Sequence, residues 1–249
     1  MFTVDYRDRV RDRLLEMAHR DARVVAGAAV GALADGGGDR WSDLDLTFGL
    51  ADGVSADGVL ADWTAELERS LDAIHLFDLP FLSTIYRVFL LPGSLQVDLS
   101  FTPGAEFGAL GPRFALLFGT AVERQRPAGA PARHLFGLAV HHALRGRFCV
   151  ERARLWQAEY WISGVRDHAL TLACRRRGLE ADHGRGFDRL PASLLARAED
   201  AMVRMIERGE LLRALESAIE VLLLEAGDVP DLAARVEVQL RGLTADGWS

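Results

Sequence analysis

The chain of 249 residues contains no lysine; all 29 of its basic residues are arginine. That absence excludes Schiff-base catalysis, a covalent nucleotidyl-lysine and the Walker A loop, each of which needs a lysine amine. Any phosphate the protein holds must meet arginine, backbone N–H groups or a metal. Cysteine is scarce as well. Cys149 and Cys174 form no metal-spaced motif, and the charged N-terminal stretch MFTVDYRDRVRDR has no apolar core of a secretion signal. The two thiols therefore read as reduced, in a cytoplasmic protein. Long apolar runs are missing too. The longest, Val24 to Ala34, is short and rich in glycine and alanine, so no membrane span is expected.

What is present is ordinary for a globular protein: 49% hydrophobic and 26% charged residues, enough for one large or two modest domains. The net charge of −7 is unevenly spread. Residues 1–125 carry 11 arginines against 19 acids, whereas residues 133–189 carry 11 against 6. An acidic first half and a basic later segment suit a site that handles cations and a polyphosphate. The overall acidity argues against nucleic acid as a partner.

Hydrophobic spacing predicts a helix over 6–22 with Asp5 as a cap, a buried strand over 24–30, a glycine-rich loop over 31–42 containing Gly36–Gly38, and a strand over 43–48. A helix over 55–75 follows, then strands 82–90 and 94–102 joined by Leu91-Pro92-Gly93. Pro127, Gly129 and Pro131 mark a boundary. Beyond it the period is helical, over about 131–146, 149–177, 192–207, 209–226 and 229–243, with a polar loop at 178–191. The expected fold class is α+β: an α/β catalytic domain, 1–127, followed by an all-helical domain, 128–249.

The chemistry concentrates in VGALADGGGDRWSDLDLTF, residues 30–48. Strand side chains alternate faces, so Asp43, Asp45 and Thr47 share one face and Leu44, Leu46 and Phe48 the other. Two adjacent carboxylates repel, and a divalent cation between them keeps both ionised. Mg²⁺ suits such a pair because it combines one or two carboxylates with substrate phosphates. A third acid, Asp98, interrupts the strand LQVDLSF, with Gln96 and Ser100 on its face. Gly31 and the glycines after it let backbone N–H groups approach a phosphate.

These residues resemble the DNA polymerase β-like nucleotidyltransferase superfamily. Its signature is Gly-Ser, a loop with a further glycine, then Ser-Asp-x-Asp; here Gly31, Gly36, Ser42, Asp43 and Asp45 stand at that spacing, over roughly residues 24–102. Ala32 replaces the usual serine, which weakens the expected grip on the triphosphate. The resemblance implies a polymerase β-like mixed sheet with flanking helices and a two-Mg²⁺ reaction. Asp43 and Asp45 would bridge the ions, and Asp98 would hold the one that activates an acceptor hydroxyl. Gly31, Ala32 and Ser42 would face the nucleotide.

An α/β half followed by a helical half is similar to the aminoglycoside and lincosamide nucleotidyltransferases. That implies ATP or another NTP as co-substrate, a small-molecule hydroxyl as acceptor, and a role in antibiotic resistance. In that branch the helical half supplies a basic residue to the triphosphate and sometimes a glutamate base. On a helix through 151–170, Arg152, Trp156, Glu159, Ser163 and Arg166 would form one stripe. Glu159, flanked by Trp156, Tyr160 and Trp161, is the candidate base alongside Asp98. Arg152, with Arg145, Arg147 and Arg154, is a candidate for the triphosphate, and Arg87 is a weaker one. His75, His141 and His142 make no metal or triad pattern and read as helix residues near the surface. Two other readings stay open: the same transfer onto a protein or tRNA, and a nucleotide-binding module without turnover, for which Ala32 is the support. The sequence leaves the oligomeric state open.

Overall fold

A computed structural model describes residues 1–36, 38–125 and 129–245. Gly37 and Pro127, which the loop and boundary readings include, lie outside the described residues. The chain divides into two compact units, Met1–Pro127 and Ala128–Ser249. Among the described residues no helix is long and apolar enough to cross a membrane.

The first unit is a six-stranded mixed sheet with helices on one face. The strands are β1 (Val24–Val30), β2 (Leu44–Leu50), β3 (Ile74–Phe81), β4 (Thr84–Leu91), β5 (Leu95–Pro103) and β6 (Phe114–Phe118), in the order β3-β4-β5-β2-β1-β6. Among the described residues only the central pair, β2 and β5, runs parallel; the other pairs are antiparallel. Helices α1 (Val4–Arg20) and α2 (Ala56–Leu71) cover the face that carries Leu44, Leu46, Phe48, Val97, Leu99 and Phe101. Phe48, Trp63 and Phe101 form a triangle of rings 5.1 to 5.5 Å apart. Burial of this kind contributes about 2 kcal/mol per large side chain. It also fixes which face of β2 and β5 is left for polar residues.

Several boundaries differ from the sequence reading. Thr3, not Asp5, caps α1, its hydroxyl accepting from the Tyr6 N–H. The loop after β1 begins with a 3-10 helix, Gly31–Asp35. Helix α2 stops at Leu71 because Asp72 turns left-handed (φ 50°) and its N–H returns to the Leu67 carbonyl; aspartate tolerates that conformation better than most residues. Ile74 therefore opens a strand. β3 and β6 were not expected. Both are edge strands with little burial, and β3 contains Pro80, which an edge tolerates and a central strand does not.

The second unit consists of α3 (Ala132–Glu151), α4 (Leu155–Arg176), α5 (Ala192–Asp200), α6 (Arg208–Leu224) and α7 (Pro230–Gly242) around one apolar core. The break between α3 and α4 falls at 152–154, several residues later than the spacing suggested, with Ala153 left-handed (φ 54°). Helix α5 is shorter than expected. The guanidinium of Arg213, held by Glu210, takes the carbonyls of Asp200 and Met202 and closes its C-terminal end.

The histidines also differ from expectation. His75 lies on β3 and pairs with Asp78 at 3.0 Å. His142 is partly buried, its ring 4.9 Å from those of His168 and Trp161. A Cβ on Gly164 would lie 2.3 Å from His142 Nδ1, so the helices meet here through a glycine. Burial, then the charges that His168 and His141 would carry, holds the His142 imidazole below the usual histidine range. Burial also lowers His168; Asp167 opposes this and His134 adds to it. A base whose folded pKa is depressed contributes no penalty above its unfolded pKa, about 6.5, and destabilises the fold as pH falls through it. Thermal unfolding followed by circular dichroism is expected to give a lower midpoint at pH 5 than at pH 7.5. The drop should shrink in His168→Gln; an equal drop in both proteins would refute the assignment.

Candidate metal and nucleotide site

The sheet register assembles the acidic residues. Parallel pairing sets Asp45 opposite Asp98 and Thr47 opposite Ser100. Because alternate residues of both strands are buried under α1 and α2, these four share the face turned away from the helices. Asp43 precedes β2 by one residue. Asp43, Asp45 and Asp98 each offer a carboxylate oxygen, and these oxygens lie within 4.8 Å of one another; among the described residues this is the one such cluster of three or more potential ligands. All three are half-buried. Burial raises the Asp98 carboxyl above the usual carboxylate range; the Gln96 amide, 3.0 Å away, lowers it and the charge of Asp43 raises it.

The donor set is three hard carboxylate oxygens with no nitrogen or sulfur, which matches Mg²⁺ or Mn²⁺ rather than a softer metal. Half-burial of mutually repelling carboxylates carries a desolvation and repulsion cost that a divalent ion would offset.

Gly31 closes over this cluster. Its φ is +65°, and a Cβ there would lie 2.5 Å from Asp45 Oδ2. The backbone thus passes so close to this carboxylate that any Cβ would force one of the two to shift, and its left-handed φ also favours glycine at the start of the loop. Ala32 follows within the same 3-10 helix, partly buried.

The remaining loop is closed by side chains. Asp39 accepts from the Trp41 N–H and the Ser42 hydroxyl, both at 2.9 Å, and Ser42 Oγ in turn accepts from the Asp39 N–H at 3.0 Å. The Trp41 N–H first, then the Ser42 hydroxyl, lowers the Asp39 carboxyl below its usual range. The Ser42 hydroxyl therefore serves the loop. Arg7 of α1, buried, reaches the same loop from beneath. Sequence reading missed it, although Arg7 stands three residues before Val10 and seven before Leu14, on the stripe that α1 buries.

Other candidates lie elsewhere. Arg87 is committed to Asp78 through two bonds of 2.6 and 2.7 Å and to the Leu60 carbonyl and Thr64 hydroxyl, which leaves it little capacity for a phosphate. In the second unit, Arg147 is buried and donates to the Leu243 carbonyl at 2.7 Å. Arg152 is not on the helix with Glu159: it ends α3, exposed, in the turn to α4. The expected stripe therefore begins at Trp156. Glu159 is partly buried and accepts from Ser163 Oγ at 2.7 Å. Trp156 and Tyr160 beside it are 76% and 66% exposed, unusual for rings of that size.

No model of a known protein family matches the chain, and no curated protein matches it. Among solved structures, an aminoglycoside 6-adenyltransferase from Bacillus subtilis is 13% identical, covering 95% of this chain and 97% of that one with a TM-score of 0.41. So remote a similarity carries no weight for activity.

Proposed function

We propose that this protein is a nucleotidyltransferase that moves a nucleoside monophosphate, AMP from ATP, onto a hydroxyl of a small molecule of the aminoglycoside type and releases pyrophosphate. The observation that carries this reading is the parallel register of β2 and β5, which brings Asp98 against Asp45 and Asp43 with Gly31 directly above. Asp43, Asp45 and Asp98 would hold the two Mg²⁺ ions that such a transfer uses. When bound, such ions neutralise charge developing on the transferred phosphate and acidify the attacking hydroxyl. Gly31 presents backbone beside Asp45, where a Cβ would force a shift, and Ala32 follows it in the same 3-10 helix. The missing serine hydroxyl at Ala32 leaves that grip to the backbone.

The acceptor's proton would go to the Asp98 carboxylate, which stands in the cluster with Asp43 and Asp45. Arginine stays charged at neutral pH and cannot serve as the base. The second unit carries its own exposed aromatic surface on α4. The exposed rings of Trp156 and Tyr160 flank Glu159, a combination that suits a cationic, sugar-bearing molecule. Arg152 and Arg154 are exposed in the turn before α4. In antibiotic-exposed cells such a transfer would confer resistance.

The test is incubation of the purified protein with α-labelled ATP, Mg²⁺ and a panel of aminoglycosides. Transfer to at least one of them is expected. A folded protein that labels no small molecule would overturn the acceptor class, and labelling of a protein or RNA in a lysate would move the reading to a macromolecular acceptor.

A further inference from the structure

We infer that Arg7 positions Asp43 by clamping the peptide that carries it. The inference rests on reading the three aspartates as a metal site. A guanidinium is charged at every physiological pH, and burying one costs several kcal/mol unless its donors are met. The Arg7 side chain is 3% exposed. Its Nη1 donates to the carbonyl of Asp39 at 2.6 Å and to that of Ser42 at 3.2 Å, while the Asp8 carboxylate stands 3.7 Å from Nε. The short contacts are therefore to loop carbonyls through Nη1, while Nε is buried with no hydrogen-bond partner among the described residues and with Asp8 nearby as a counter-charge.

The Ser42 carbonyl is the oxygen of the peptide whose nitrogen belongs to Asp43. A peptide is a rigid plane, so fixing that oxygen fixes the direction in which Asp43 leaves the loop. The clamp has a tight fit. A Cβ on Gly38 would lie 2.5 Å from Leu33 Cδ2 and 3.5 Å from both Arg7 terminal nitrogens, so the loop backbone lies close over the guanidinium. Asp39 completes the device by closing the same four residues from above through Trp41 and Ser42. Arg7 touches neither substrate nor metal in this scheme; it acts through the loop as a positioning residue.

The experiment compares wild type, Arg7→Met, Arg7→Lys and Asp98→Asn as full chains. It measures Mn²⁺ binding by titration calorimetry, thermal unfolding without metal, and amide hydrogen exchange across residues 38–43. Arg7→Met is expected to weaken Mn²⁺ binding on the order of tenfold, the usual cost of removing a group that orients a ligand, and to speed exchange in the loop. Arg7→Lys should recover part of both, since an ammonium still donates to carbonyl oxygens. A variant that is thermally weaker yet binds Mn²⁺ like wild type, with loop exchange unchanged, would overturn the inference. If Arg7→Met does not fold, Arg7→Lys decides by the same criteria. Wild type that binds no Mn²⁺ in an Asp98-dependent way sinks the metal reading instead. Loop exchange in the Arg7 variants then still decides whether the clamp exists.

Discussion

Replacing Asp98 with asparagine is expected to reduce nucleotidyl transfer by on the order of 10³-fold, equivalent to about 4 kcal/mol of transition-state stabilisation, while making the metal-free protein more stable. The two effects have one cause. Asp98 is half-buried beside Asp43 and Asp45, and burial together with the Asp43 charge raises its carboxyl above the usual range. For an acid with a raised folded pKa, the ionised form destabilises the fold. The penalty is full above the folded pKa and disappears as pH falls below the unfolded one. Asparagine has nearly the same shape and no charge, so it removes that penalty. Bound metal reverses the comparison. Wild type should gain thermal stability as Mn²⁺ is added, because the ion binds only the folded state, and Asp98→Asn should gain far less. The idea fails if Asp98→Asn keeps its transfer rate, or if wild-type unfolding in chelator and in Mn²⁺ coincides.

Gly31→Ala is expected to lower transfer by about 10²-fold, with a stability loss of about 1–2 kcal/mol. The backbone term follows from φ +65°, where an alanine Cβ costs about 1 kcal/mol. The larger functional term follows from the 2.5 Å approach of that Cβ to Asp45 Oδ2. One atom or the other must shift, and a misplacement near 1 Å at a reacting site is worth about 10²-fold. The natural comparison is Gly36→Ala. Gly36 is also left-handed, but a Cβ there meets nothing within 4 Å. It should cost similar stability and leave transfer close to wild type. Equal activity losses at both positions would show that backbone strain, not the carboxylate contact, is responsible.

Much of this site was legible in the sequence because strand alternation is a strict rule. Leu44, Leu46 and Phe48 had to share a face, so Asp45 and Thr47 had to share the other, and the same held for Asp98 and Ser100. The functional reading of Asp98 put its strand beside that of Asp43 and Asp45, but the parallel direction and register were not legible, since no local pattern states that β5 returns parallel beside β2. Edge strands were the main loss in the fold. β3 exposes apolar side chains along most of its length, including Ile74 at 58% and Phe77 at 53%, so it shows no alternation to read. Leu67, Leu71 and Ile74 continue the period of α2, and only the left-handed Asp72 breaks it. The α3–α4 turn was misplaced for a related reason. It is made with Ala153 rather than glycine, and an alanine gives no sign that a helix stops. That error put Arg152 on the wrong element. Arg7 went unrecognised because an arginine on a helix near the N-terminus reads as solvated, and only tertiary structure reveals that it lies under a loop.

The parallel pairing of β2 and β5 has a consequence for the order in which the protein becomes competent. Its two facing aspartates are separated in the chain by a helix and two strands, and contacts so distant in sequence form late, after the loop-closure entropy of the crossover has been met. Local segments can acquire their helices and hairpins early without owning a metal site. A refolding experiment that follows Mn²⁺ uptake should therefore lag behind the recovery of helical signal. The ion then acts as a timer for sheet completion: it captures chains whose central strands have already registered and ignores every species before them.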